Sequence, residues 1–473
     1  MTQTAAIIGG GVIGGGWAAR FLLSGWDVNV FDPDPEAERK IDEVLTNARH
    51  SLPSLFETDL PGEGKLGFAS SLEAAVKDTS WIQESVPERL ALKQDLLVQI
   101  QAVCNSNAVL ASSTSGFKPS QLQQHMKNPA QLIVAHPFNP VYLLPLVELV
   151  GDTHTIVRAK EILANLGMFP LHVRKEIDAH IADRFLEAVW REALWLIKDG
   201  IATTSEIDDA IRYGFGLRWA QMGLVETYRV AGGEAGMKHF LAQFGPALKW
   251  PWTKLMDVPE LTDDLIERIA SQSDEQSGSY SIRQLERIRD DNLVGILRAL
   301  KTRNWGAGQV LNQHDQRLQP ERTALDNKPF VSVTRSIPID WIDYNGHMNE
   351  SRYGQIFSDA ADAIMAHIGA DQAYIDSGLS YFTVETRIRY LDETKPGERI
   401  YVNSQVLHAE GKKLKLLHEM HHLDGRILAT GEQMLIHVSL DTRRSCQPSA
   451  SVLAKTEQLA LAHSMLPRPD YLS

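Results

Sequence analysis

Four side chains in the stretch from Ala111 to Val150 could share one chemistry: the hydroxyl of Ser115, the imidazole of His136, the amide of Asn139 and the carboxylate of Glu148. An imidazole is the side chain suited to taking and returning a proton near neutral pH. The β-prone run Leu132–Ala135 sets His136 where a strand opens into a loop. Pro137 and Pro140 then stiffen that loop by fixing φ on either side of Phe138 and Asn139. Glu148 interrupts the apolar run Val147–Val150, so its carboxylate is expected to be at least partly buried and to need a partner. His136 is the natural partner. On spacing alone, a core histidine beside an unrelated acid fits as well.

The serine-rich segment ending at Ser115, the run His136-Pro137-Phe138-Asn139-Pro140 and the glutamate twelve positions after the histidine resemble the 3-hydroxyacyl-CoA dehydrogenase superfamily. The resemblance spans the chain up to the polar stretch near Pro320. It implies that His136 is a general base, that Glu148 orients it, and that Ser115 and Asn139 bind the substrate oxygen.

Such a site needs a scaffold and a hydride acceptor. The strand-like run Ala5–Ile8 leads directly into Gly9-Gly10-Gly11-Val12-Ile13-Gly14, then a helix-like segment, then a second strand ending at Asp32. Gly9 permits a tight turn, Gly11 lets the backbone approach a pyrophosphate, and Gly14 lets the helix pack on the strand. A helix N-terminus there would hold the phosphate charge. Asp32 sits where an acid would bind a ribose 2′-hydroxyl and repel a 2′-phosphate, so NAD is the expected cofactor. The alternative is a glycine-rich turn in some other α/β sheet. By family resemblance Glu88 and Lys93 line the nicotinamide side; without it they are an exposed pair at a helix start.

Alternating strand and helix signals to about residue 175 predict a doubly wound, mostly parallel sheet, with Ser115 and His136 at its carboxyl ends. From Asp178 to about Leu300 only helical periodicity remains. The superfamily places a substrate and dimerisation domain there. Two departures stand out. Asp183-Arg184 occupies the place of an Asn-Arg pair, where the acid could hydrogen-bond or attract a cation on a substrate other than an acyl-CoA, and Tyr213, Phe215 and Trp219 lie in a segment that is Gly-Pro-rich in the acyl-CoA enzymes. Together with Trp190, Trp195 and Tyr228, these rings could cage a quaternary ammonium, although any one of them could equally be a helix-packing residue. The segment resembles the branch acting on small hydroxy acids, which includes gulonate and carnitine dehydrogenases.

The polar stretch 301–328 lacks a sustained apolar period, and a linker is predicted over 306–328. Beyond it the pattern becomes a long helix, Glu350–Ile368, followed by alternating strands with turns at Gly397-Glu398 and Asp424-Gly425. The block Asp343-x-x-Gly346-His347-x-Asn349 resembles the hot-dog-fold acyl-CoA thioesterases. That resemblance makes Asp343 a nucleophile or general base toward water, with Gly346 admitting the substrate at a helix start and His347 and Asn349 ordering the loop. Otherwise Asn349 is an N-cap and Asp343 a turn residue.

The expected organisation is thus a Rossmann-type NAD-binding domain (1–178), an all-α domain (179–305), the linker, and an α+β hot-dog domain (329–473). A dehydrogenase joined to a thioesterase resembles the carnitine branch. It implies oxidation of L-carnitine to 3-dehydrocarnitine and hydrolysis of betainyl-CoA. The alternative is a 3-hydroxyacyl-CoA dehydrogenase with an acyl-CoA thioesterase; a structural or sensor protein would leave His136 and Asp343 idle.

Composition bounds the rest. A chain of 473 residues with a net charge of −13 suits several soluble domains and argues against a nucleic-acid partner. The early apolar run is broken by glycines and has no basic leader, so no membrane segment is expected. Cys104 and Cys446 are too few and too far apart for a metal motif, and a cytoplasmic homodimer with reduced thiols is the expectation.

Overall fold

The computed structural model describes residues 3–231, 240–242, 253–254, 260, 262–277, 279–318 and 329–466. The chain divides into two compact units: Met1–Ala48 with Gly62–His314, and Arg49–Pro61 with Asp315–Ser473.

In the first unit the strands are β1 (Thr4–Ile8), β2 (Asp27–Phe31), β3 (Leu66–Phe68), β4 (Trp81–Glu84), β5 (Val109–Ser112), β6 (Leu132–Pro137), β7 (Leu146–Gly151) and β8 (Phe169–His172). They form one sheet in the order β3-β2-β1-β4-β5-β6-β7-β8. Neighbouring strands are parallel except for β6 and β7, which pair antiparallel with His136 directly opposite Glu148. The order reverses direction at β1, so a crevice opens at the carboxyl ends of the strands, as in doubly wound sheets. Helices α1 (Val12–Leu23), α2 (Ala37–Ser51), α3 (Leu72–Val76), α4 (Leu90–Val103), α5 (Pro119–Leu122) and α6 (Thr153–Asn165) connect the strands. The strands are apolar on both faces because helices cover both. One core joins Ala6, Ile8, Ile82, Leu110, Leu132 and Val134 of the sheet to Leu97 and Ile100 of α4.

Helices α7 (Ala182–Lys198), α8 (Thr204–Ala210), α9 (Gly216–Ala231), α10 (Asp263–Ser277) and α11 (Ile282–Thr302) follow, with a π-helical turn at Ile211–Phe215 before α9, and the part of α12 (Ala307–Leu318) up to His314 ends this unit. Thr203 caps α8 in a capping box with Glu206. Helix α12 corrects the predicted linker. Its buried face is short and largely polar, with Leu311 covered alongside His314 and Asp315. The remainder of the predicted linker, 319–328, lies outside the described residues.

The second unit is built on α13 (Glu350–Ile368). A five-stranded antiparallel sheet in the order β10-β13-β12-β11-β9 wraps it, with β9 (Phe330–Ser336), β10 (Leu379–Tyr390), β11 (Arg399–Glu410), β12 (Lys413–His422) and β13 (Ile427–Ser439). Tyr353, Ile356, Phe357, Ala360, Ile364 and Ile368 recur at helical spacing and form the buried face of α13. Gly431 is required where that helix meets β13, because a Cβ there would lie 2.6 Å from the Phe357 ring. Two shorter helices, α14 (Gln372–Asp376) and α15 (Ala450–His463), flank the sheet.

Candidate active sites

The glycine loop has the shape a dinucleotide needs. Gly9 takes φ +100°, and a Cβ on Gly14 would lie 1.8 Å from the Gly9 carbonyl oxygen, whereas one on Gly11 would meet nothing within 4 Å. Gly11 therefore faces open space at the start of α1, where no side chain caps the helix and the first-turn amides are left to an anion. Asp32 closes the loop from β2: its carboxylate accepts from the Gly10 amide at 2.5 Å and from the Asp34 amide at 2.8 Å. These residues fit an NAD pyrophosphate and ribose.

His136 sits at the end of β6 and is buried. Because β6 and β7 are in antiparallel register, its side chain and that of Glu148 share a face, and Nδ1 lies 3.1 Å from Glu148 Oε2. Glu148 Oε1 accepts from the Ile181 and Ala182 amides, each at 3.0 Å, at the start of α7. Burial alone would raise the Glu148 pKa; the His136 contact and the two amides outweigh it and hold the carboxyl below its usual value. On the opposite side of the ring, Nε2 is 3.2 Å from Ser115 Oγ and 3.4 Å from Asp183 Oδ2. Burial raises the Asp183 carboxyl, and Glu148 adds to that, against His136. Asn139 is exposed on the loop after β6 and makes none of these contacts; its bond to Pro140 is cis.

Two further residues complete this centre. Glu84, at the carboxyl end of β4, is fully buried; it accepts from Ser112 Oγ and pairs with Lys93 Nζ at 2.8 Å. Lys93 is 1% exposed and also donates to the Val86 carbonyl at 3.0 Å and meets Glu88 at 3.3 Å. This corrects the reading of Lys93 as a solvated residue, while Glu88 remains exposed. Lys93 has an acceptor for each proton inside the protein and braces Glu88, which in turn accepts from Thr114 and the Gly116 amide. Glu84 was legible by the logic applied to Glu148, as an acid closing an apolar strand. His180 was not. It is buried in a left-handed loop, donates Nε2–H to the Thr114 carbonyl at 3.2 Å and lies 5.5 Å from the His136 ring, while burial lowers its pKa.

The aromatic residues form no assembled cage among the described residues. Phe215 and Trp219 pair at 4.5 Å, but Tyr213 is 77% exposed, and Lys198 and Lys254 lie over the Trp195 ring at 4.3 and 4.1 Å. Tyr213 and Phe215 lie in the π-helical turn, where Gly214 leaves helical geometry.

In the second unit the loop 343–349 precedes α13. Asp343 Oδ1 accepts from the Asn345 amide at 2.8 Å, and Asn349 Oδ1 caps the helix by accepting from the Ser351 amide at 3.0 Å. Gly346 takes φ +86° with open space around it. His347 reaches Asp343 at 3.9 Å and Glu393 at 3.7 Å. The local roles of Asn349 and Asp343 are therefore a helix cap and a turn acceptor. Among the described residues no group of His, Cys, Asp and Glu is arranged to hold a metal, and no helix is long and apolar enough to cross a membrane.

Known proteins match this arrangement along the chain. The family model for the NAD-binding domain of 3-hydroxyacyl-CoA dehydrogenase matches residues 4–177, that for its C-terminal domain matches 180–268, and that for the thioesterase-like superfamily matches 337–456. The first unit therefore takes NAD. A solved 5-formyl-3-hydroxy-2-methylpyridine 4-carboxylic acid 5-dehydrogenase, an NAD+-dependent dismutase, is 26% identical with a TM-score of 0.54, covering 64% of this chain and 99% of its own. An L-carnitine dehydrogenase of Pseudomonas sp. is 51% identical over 66% of this chain and 98% of its own. The L-carnitine dehydrogenase/betainyl-CoA thioesterases of Ruegeria pomeroyi and Agrobacterium fabrum are 63% and 54% identical over 99% and 98% of this chain, and 98% and 96% of theirs. With both units matched end to end, the chain belongs to the family of the L-carnitine dehydrogenase/betainyl-CoA thioesterases.

Proposed function

We propose that the first unit oxidises L-carnitine to 3-dehydrocarnitine with NAD+, and that the second hydrolyses betainyl-CoA to betaine and CoA. The observation that carries the first half is the division of labour between the two His136 nitrogens. Glu148 accepts at Nδ1, which keeps the proton there and leaves Nε2 to take the hydroxyl proton of the substrate. The same carboxylate stabilises the imidazolium that results. Ser115, within reach of Nε2, and Asn139, from the adjoining loop, steady the oxygen as it becomes a carbonyl. Bound NAD+ supplies the hydride acceptor. Gly9, Gly10, Gly11, Val12, Ile13, Gly14 and Asp32 hold its pyrophosphate and ribose, and Glu88, braced by Lys93, lines the nicotinamide side. Asp183, Tyr213, Phe215 and Trp219 receive the trimethylammonium end.

In the second unit Asp343 is the nucleophile or the base toward water, and Gly346, His347 and Asn349 shape the loop that admits the thioester. A separate cleavage enzyme would have to turn 3-dehydrocarnitine into the CoA ester between the two steps. The chain works as a homodimer through its helical part, where Leu186, Trp190 and Leu217 present apolar surface.

The test is a panel of alcohols with NAD+, followed by NADH formation. Carnitine should be oxidised, and His136→Ala should abolish turnover while NADH still binds. Acetoacetyl-CoA reduced far better than 3-dehydrocarnitine would instead favour a 3-hydroxyacyl-CoA dehydrogenase.

A further inference from the structure

The proton chemistry at His136 does not call on every carboxylate that faces the ring. Both Glu148 oxygens are engaged, Oε2 with the imidazole and Oε1 with the Ile181 and Ala182 amides. Asp183, in the first turn of α7, instead turns Oδ2 toward the other ring nitrogen, 3.4 Å from Nε2 and beside Ser115. Its side chain is only 19% exposed, and burial together with Glu148 opposes its charge. An asparagine would offer hydrogen bonds of the same reach without that electrostatic cost. An acid in a first helical turn does suit the helix end, but that role requires no orientation toward Nε2.

We infer that Asp183 is the specificity-determining countercharge for a cationic centre next to the carbinol, so that the first site selects a trimethylammonium over its uncharged carbon isostere. The inference rests on reading the first unit as a carnitine dehydrogenase. The geometry follows from covalent lengths. A hydroxyl donating to Nε2 places its oxygen about 2.8 Å from the ring. In carnitine three single bonds of about 1.5 Å separate that oxygen from the ammonium nitrogen, so the two lie roughly 3–4 Å apart. A carboxylate oxygen 3.4 Å from the same Nε2 is then in contact range of the methyl groups that carry the charge. Aromatic contact alone does not supply that countercharge, since lysines already cover the Trp195 ring and Tyr213 is largely exposed.

The full-length chain is assayed by NADH formation with L-carnitine and with 3-hydroxy-5,5-dimethylhexanoate, in which a tert-butyl group replaces the trimethylammonium. The wild type should prefer carnitine by about two orders of magnitude in kcat/KM, the size of effect a close, partly screened charge pair supports. Asp183→Asn should lower kcat/KM for carnitine by about that factor, chiefly through KM, and erase the preference. Asp183→Glu should keep most of it. NADH binding followed by fluorescence checks that each variant is folded. A wild type that treats the two substrates alike overturns the inference without recourse to any variant. So does an Asp183→Asn variant that loses the same factor on both substrates, or that loses carnitine turnover through kcat alone, which would make Asp183 part of proton transfer. A wild type inactive on carnitine removes the functional reading itself, whereas carnitine turnover with an undiminished preference in Asp183→Asn removes only the role of Asp183.

Discussion

Glu148 is a fully buried acid whose charge survives because each oxygen is committed. Its role can be separated from mere packing. In Glu148→Gln the shape is kept, but the amide can donate as well as accept, so the Nδ1–H tautomer of His136 is no longer enforced. The expected outcome is a loss of about 10²-fold or more in kcat for carnitine oxidation with NADH affinity unchanged, measured by steady-state rates and fluorescence titration. Its folded pKa lies below the ordinary 4.5, so the unfolded chain takes up this proton first as pH falls. The stabilisation is complete above the unfolded value and disappears as pH drops through the folded one. Glutamine should remove that part of the acid sensitivity.

At the scale of elements, the second unit carries a buried histidine on its central strands. His418 of β12 accepts from Ser404 of β11 at 2.6 Å, donates to Gln433 of β13 at 3.2 Å, and stacks on Phe357 of α13. Burial lowers its pKa to about 4 from the ordinary 6.5. Between those values the unfolded chain binds a proton that the folded chain refuses, so stability is intact above pH 6.5 and falls as the pH drops toward 4. The linkage amounts to about 3 kcal/mol at that limit. Urea unfolding of the second unit at pH 7 and pH 4.5 should show this slope, and His418→Gln should flatten it; an equal slope in the variant assigns the acid sensitivity elsewhere. The elements themselves were unequally legible. Period-two alternation marked β10 to β13, and the glycine spacing marked β1, α1 and β2, because local sterics and solvent fix those patterns. The antiparallel pairing of β7 with β6 was legible in a feature other than apolar period: the connection 138–145 is too short for the crossover a parallel pair needs, and that pairing is what brings Glu148 to His136. Helix α12 was hidden because its buried face is short and largely polar, so the local composition reads as a solvated stretch.

At the scale of the molecule, the division into a dehydrogenase-like and a thioesterase-like part was readable from the change of period near Phe330. The assignment of Arg49–Pro61 to the second unit was not, since nothing local distinguishes that segment from its neighbours. The apolar stripe of α7 bears on assembly. Ala193, Leu194 and Ile197 are buried, but Leu186 and Trp190, at matching helical angles one to two turns earlier, are 57% and 52% exposed. A stripe that is covered over half its length and open over the rest is what a second copy of the chain would complete. Light scattering after size exclusion should therefore give about twice the 52.7 kDa of one chain. Leu186→Glu combined with Trp190→Glu should return the mass of the single chain, because burying two carboxylates in a contact costs more than one apolar stripe returns. A double variant that keeps the dimer mass places the contact elsewhere. A wild type that runs at 52.7 kDa in the micromolar range leaves the open half of α7 as ordinary surface.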